Sequence, residues 1–166
     1  MTDLPRLRPV GGRADAVSMH ATAVAVDGRA LCLCGPPGIG KSGMAAQMMV
    51  AGAALVADDL CLLTRDGGGL RVSRPDGGPA AMDLRGLGVV GVPVVAQAEP
   101  VAVVLLGGDP PRIPAPEDLD VLGLRLPVLR QAVRPDTAAK LILWLRNTMP
   151  RRSGTGACGG GSRGHL

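Results

Sequence analysis

With 166 residues the chain has the length of one domain with a single core, since about 150 residues can bury roughly 68–70% of the surface that the unfolded chain exposes. Apolar residues make up 46% of it, yet there is no Phe or Tyr and one Trp, so the core must come from Val, Leu, Ile, Ala and Met; 25 Gly and 15 Pro argue against a helical bundle and for short strands and turns. The net charge of +4, carried in part by Arg151, Arg152 and Arg163 near the C-terminus, argues against a nucleic-acid binder with a basic stripe and leaves room for an anionic nucleotide or an acidic partner protein.

Residues 1–14 are polar, hold prolines and a Gly-Gly pair, and read as a flexible arm; Met1 to Val10 contain no apolar signal core. Val17 to Val26, rich in Val and Ala, reads as one strand. Asp27-Gly28 is a hairpin turn signal and Ala30 to Cys34 the returning strand. A glycine-rich loop follows, then a helix from Lys41 to Ala51 with Met44, Met48 and Met49 on its apolar side and Gly52 at its C-terminal end. Ala53 to Ala57 is a short apolar strand that ends in Asp58-Asp59. Leu60 to Thr64 and Leu70 to Ser73 flank Asp66-Gly67-Gly68-Gly69 as a second hairpin.

Further along, Ala80 to Leu84 leads into Arg85-Gly86-Leu87-Gly88, Val101 to Leu106 reads as a buried strand, and Leu126 to Leu129 as another. Asp136 stands where it can N-cap a last helix, Thr137 to Arg146, with Leu141, Trp144 and Leu145 turned inward. From Pro150 the chain is Gly, Ser and Arg and reads as a disordered tail, which leaves 15–149 as the domain. Val89 to Leu106 is the longest apolar stretch, but Pro93, Gln97, Glu99 and Pro100 break it, so no membrane span is expected and the cytoplasm is the default location. The four cysteines, Cys32, Cys34, Cys61 and Cys158, show neither a disulfide framework nor zinc spacing; Cys32 and Cys34 share one face of a strand and read as buried, reduced thiols.

The strongest chemical signal is Gly35-Pro36-Pro37-Gly38-Ile39-Gly40-Lys41-Ser42, a complete G-x-x-x-x-G-K-S between a strand and a helix. Glycines let backbone N–H groups turn toward phosphate oxygens, and the helix N-terminus adds partial positive charge. Lys41 neutralises the β- and γ-phosphates and the Ser42 hydroxyl ligates magnesium, so ATP and Mg²⁺ are the expected ligands. In a chain with only two lysines, Lys41 and Lys140, one placed inside this motif is not there for solubility. Asp58 and Asp59, at the end of an apolar strand, resemble a Walker B element that holds the metal or its water. His20, apart from His165 in the tail, is the one histidine; taken alone it reads as a strand residue.

Taken in order, four elements resemble the catalytic domain of HPr kinase/phosphorylase, in a short single-domain form: Ser18-Met19-His20-Ala21, the P-loop, Leu55-Val56-Ala57-Asp58-Asp59, and Met82-Asp83-Leu84-Arg85-Gly86-Leu87-Gly88-Val89-Val90. Arg112-Ile113-Pro114 is similar to a later Arg-Leu-Pro element of that family. The resemblance implies an α/β P-loop domain related to phosphoenolpyruvate carboxykinase, with a hairpin-rich mixed sheet and few helices. It implies an ATP-dependent protein serine kinase, acting on the HPr phosphocarrier protein and regulating carbohydrate metabolism, that can also remove the phosphate with inorganic phosphate. His20 would then lie beside the transferring phosphoryl group, Lys41 on the phosphates, and Ser42 with Asp83 on magnesium. Asp59, or else Asp58, would be the base for the serine hydroxyl, and Arg112 would compensate charge on the transferring group. Asp83 stands where the family signature has Glu. The Pro-Gly-Arg-Asn element linked to phosphorolysis and subunit contacts is absent, Val133-Arg134-Pro135-Asp136 being the nearest stretch, so reversal and homo-oligomer formation are left open. Two other readings stay open: a small-metabolite kinase, which needs an arginine-rich lid, and a nucleotide-sensing module without catalysis.

Overall fold

The computed structural model describes residues 2–75, 78 and 80–148. In chain order the elements are β1 (Leu7–Val10), β2 (Arg13–Met19), β3 (Thr22–Val26), β4 (Arg29–Cys34), α1 (Lys41–Val50), β5 (Ala54–Ala57), β6 (Cys61–Asp66) and β7 (Gly69–Ser73). They continue with β8 (Ala81–Leu84), β9 (Gly88–Gly91), β10 (Gln97–Gly107), β11 (Asp118–Val121), β12 (Leu124–Ala132) and α2 (Thr137–Asn147). A mixed sheet runs β1-β2-β6-β7-β10-β4-β3-β5, with β12 on the other side of β10 from β4 and β11 on β12; β8 and β9 form a separate hairpin.

Strand β10 joins the two halves of this curled sheet. Gln97 and Ala98 pair with β7, while Val103 to Gly107 pair with β12, and the ladder to β4 runs along the opposite edge. The β4 register slips between Pro100 and Ala102. A proline cannot donate to a ladder, so a bulge there is the expected local solution, and it bends the strand from one half to the other. Strands β4, β10 and β12 are mutually parallel.

Burial follows from this layering. Every residue of β3 is buried, as expected of a strand covered on both faces, whereas β6 and β7 alternate between buried and accessible positions. One core cluster, with Met19, Cys32, Cys34, Val56, Cys61 and Leu63, lies between the halves of the sheet. The other, with Leu31, Leu33, Met44, Met48, Leu141 and Leu145, lies under the helices. Small Ala and Cys side chains let the strands and helices approach closely where aromatic rings would otherwise fill space. Arg146 on α2 donates to the Ala51 carbonyl at the end of α1, 2.7 Å away, and so caps one helix from the other.

The structure departs from the sequence reading at four points. Residues 7–10, expected within a flexible arm, are a strand paired antiparallel with β2, because Leu7 finds a place against the core. The single strand expected over 17–26 is two: β2 belongs to one half of the sheet and β3 to the other, with the crossing at His20-Ala21. Strands β9 and β11 carry no strand signal in the sequence pattern. The β11–β12 turn, Leu122-Gly123, has both residues at positive φ (54° and 80°) and is closed by the Asp120 carboxylate accepting from the Gly123 N–H; Leu in the left-handed region is not a turn signal that a sequence advertises. Finally, Asp136 is the N-cap of α2 by position, yet its carboxylate pairs with Lys140 at 2.6 Å instead of capping an amide. The tail from Pro150 lies outside the described residues.

Candidate nucleotide and phosphoryl-transfer site

Strand direction decides where the chemistry-bearing residues meet. Thr22 pairs with Leu33 and Ala23 with Ala57, both antiparallel, while β10 and β12 run parallel to β4. The ends of β4, β5, β10 and β12 and the start of β3 therefore share one edge of the sheet. The P-loop leaves β4 there, Asp58-Asp59 leaves β5, His20 precedes β3, and Gly107-Gly108 leaves β10. Ligands of open α/β sheets bind outside the carboxyl ends of parallel strands for this reason: loops with free backbone groups gather there.

The loop has the geometry that its sequence calls for. Gly35, Gly38 and Gly40 all take positive φ, at 155°, 78° and 108°. Helix α1 begins at Lys41 with Gly40 as N-cap, no side-chain cap and no acidic residue in the first turn. Its first amides are left for an anion. Lys41 Nζ donates to the carbonyls of Gly35 at 2.9 Å and Pro36 at 3.2 Å, which holds the ammonium inside the loop.

A cavity of about 590 Å³ opens beside the loop. Cys34, Gly35 and Pro36 line it from the end of β4, His20 from the sheet crossing, and Arg6 and Arg8 from β1 and its approach. Burial pushes the Cys34 thiol well above its ordinary value; neighbouring Cys32 adds to this, and the Lys41 charge pulls the other way. A neutral Cys34 therefore leaves the cationic character of the wall intact.

Among the expected site residues, His20 and the start of the P-loop are brought together in this cavity. Lys41, Ser42, Asp58, Asp59, Asp83 and Arg112 do not line it. Asp58 is half-buried and accepts a hydrogen bond from the buried Thr22 hydroxyl at 3.0 Å. Asp59 is exposed, with φ at 67°. Asp83 is exposed on β8, whose neighbour Met82 is buried in the cluster under the helices. Arg112 is exposed in the segment between β10 and β11. Among the described residues no three His, Cys, Asp or Glu side chains form a ready-made metal cage. The residues expected to hold magnesium, Ser42 at the start of α1 and Asp83 on β8, each offer an oxygen, the donor type that this ion takes.

Sequence reading missed two arginines near this edge, Arg6 and Arg8. Arg6 and Arg8 were hidden by a polar, proline-containing context that resembles a tail, although an Arg-x-Arg spacing puts both side chains on one side of an extended chain. Arg134, just past β12, holds Asp109 in a bidentate pair at 2.6 and 2.8 Å. Asp109 keeps the guanidinium protonated beyond its ordinary range. Val133 lies 3.7 Å from where a side chain on Gly40 would begin, so the segment nearest to the missing family element runs beside the loop.

The fold and the site together define a mixed α/β domain with few helices and a glycine-rich loop at the carboxyl edge of its parallel strands. Comparison with protein families matches residues 13–101 to the HPr Serine kinase C-terminal domain. The chain belongs to that family. A solved structure, the HPr(Ser) kinase/phosphatase from Coxiella burnetii, is similar in fold, with a TM-score of 0.69 at 24% identity over 78% of this chain and 88% of that one. No curated protein matches the chain. No helix of the described residues is long and apolar enough to cross a membrane.

Proposed function

We propose that this domain transfers the terminal phosphoryl group of ATP to a serine hydroxyl of an HPr-type phosphocarrier protein and so regulates carbohydrate use. The observation that supports this reading is strand direction: the turns that carry His20, the glycine loop and Asp58-Asp59 open at the same end of β3, β4 and β5, and His20 shares a cavity with Gly35. Phosphoryl transfer asks the protein mainly for positioning and charge compensation, and those are the groups present.

In this reading the amides at the start of α1 receive phosphate oxygens, and Lys41 exchanges the Gly35 and Pro36 carbonyls for them. Ser42 and Asp83 are the residues that would hold magnesium, which when bound neutralises charge on the phosphates. Asp59 takes the serine proton as the serine oxygen bonds to phosphorus and the bond from phosphorus to the β-phosphate oxygen breaks, leaving ADP. Asp59 is preferred over Asp58 because one Asp58 oxygen is already committed to Thr22. His20 stands beside the phosphoryl position, and Arg112 compensates its charge from the segment after β10.

The test is transfer from labelled ATP to a purified HPr by the wild type, Asp59→Asn and Asp58→Asn. Asn is nearly isosteric but cannot accept the proton, so Asp59→Asn is expected to keep nucleotide affinity and lose about 10²–10⁴-fold in rate. Full activity in both variants would remove the pair as base. Nucleotide binding with no transfer by the wild type to any HPr-type protein would favour the sensing module instead.

A further inference from the structure

The cationic wall of the cavity belongs to a segment outside the family match, which begins at residue 13. Arg6 and Arg8 are two residues apart on an extended stretch and both line the cavity with His20 and Gly35. Neither guanidinium has a hydrogen-bond or ion-pair partner among the described residues. Two arginines on an exposed strand commonly serve solubility alone, but this segment is anchored at both ends. Arg8 sits in the β1–β2 ladder opposite Ser18. Upstream, the Thr2 carbonyl accepts from Arg130 at 2.6 Å, and the same guanidinium holds Glu117 through two bonds of 2.8 Å. The Thr2 hydroxyl donates to the Leu106 carbonyl at 3.4 Å, and Thr2 occupies the place where a side chain on Gly107 would go. The backbone that carries both arginines is thus in place beside the loop before any ligand arrives. Among the described residues Asp3 is the one carboxylate on the cavity wall, and its charge acts on Arg130.

We propose that Arg6 and Arg8 form an anion subsite beside the glycine loop, separate from the triphosphate cradle, which takes a phosphate group: that of a phosphoserine side chain or inorganic phosphate. Planar guanidinium groups suit phosphate because two N–H bonds can meet two oxygens, and a backbone segment already in place leaves only the side chains to order. That this phosphate is a reaction partner rests on the kinase reading; the subsite itself does not.

Calorimetric titration of inorganic phosphate and of O-phosphoserine, with and without saturating ADP and magnesium, tests it on the wild type, the double variant Arg6→Gln/Arg8→Gln, and Lys41→Ala. Both arginines are exposed, so the double variant is expected to fold. The expected result is an affinity loss of at least about 10-fold in the double variant, for whichever of the two ligands is the occupant, with ADP affinity changed less than about 2-fold. Lys41→Ala should show the reverse order, losing ADP and keeping that ligand. Phosphate and phosphoserine affinities both unchanged in the double variant, or lost in step with ADP, overturn the subsite. Failure of the wild type to bind ADP would count against the nucleotide reading alone, because the nucleotide-free titrations would still report on Arg6 and Arg8.

Discussion

A Cβ on Gly35 would come within 2.9 Å of the Leu106 carbonyl oxygen and 3.0 Å of Ile39 Cγ2, with φ at 155°. The oxygen is backbone of a central strand and cannot move aside, so this glycine is required by close approach as well as by conformation. Gly35→Ala is expected to cost about 2 kcal/mol in urea unfolding and to weaken nucleotide binding by displacing the loop. Stability and affinity both at wild-type level would mean that the loop conformation is softer than its contacts indicate. At Asp59 the left-handed φ of 67° is a milder demand. Asp and Asn tolerate that region better than most residues, so Asp59→Asn tests proton acceptance with little change in backbone strain.

At the scale of elements, β1 changes the meaning of the N-terminal segment. It covers the outer edge of β2, where unpaired backbone groups would otherwise invite association with other chains. Removing residues 2–10 breaks that ladder, strips Leu7 from the core and frees Arg130 from Thr2. A loss of about 2 kcal/mol is expected, which in a domain of this size lowers the melting temperature by ~4–8 °C, with a tendency to self-associate that light scattering would detect. An unchanged melting temperature and a monodisperse sample would return the segment to the status of a loose arm. The crossing at His20-Ala21 is the other element-level decision. By passing from one half of the sheet to the other there, the chain turns a strand histidine into a wall of the cavity.

Over the whole molecule, stability should depend on pH through two separate sets of groups. Hydrogen bonds from Arg13, Arg130 and Lys140 hold the Asp15, Glu117 and Asp136 carboxyls below their ordinary values of 3.8, 4.5 and 3.8. A lowered folded pKa stabilises above the unfolded value and is lost as pH falls through the folded one, so this contribution fades below about pH 4. It is small, because these pairs face water. The alkaline side is steeper. Cys32 is pushed above 9.0 by a hydrogen bond with Cys61 and by burial, and Cys34 by burial and by Cys32. Unfolded thiols ionise near 9.0 while the folded ones keep their protons, so stability falls as pH rises past that point. Each such thiol contributes up to about 1.4 kcal/mol per pH unit. With no Tyr and two Lys in the chain, few other side chains titrate in that range. Urea unfolding from pH 8 to 10.5 should show this limb, and Cys34→Ala should reduce its slope; a slope unaffected by the substitution would assign the fall to other groups.

The sequence by itself determined the local parts. The P-loop motif and helix α1, the Asp27-Gly28 and Asp66–Gly69 turns, the buried face of Cys32 and Cys34, and α2 with Leu141 and Leu145 inward all rest on neighbours within a few residues. Tertiary structure alone decided which strands pair, and with that everything set by long-range contact. The split of 17–26 into β2 and β3 depends on β6 and β4 lying on different sides, which no local pattern encodes. The strand at 7–10 exists because β2 offers an edge, and β11 because β12 does. The same cause governs the site. Motif residues could be named singly, but that His20, the loop and two arginines from the N-terminal segment share one cavity follows from strand directions more than from any spacing along the chain.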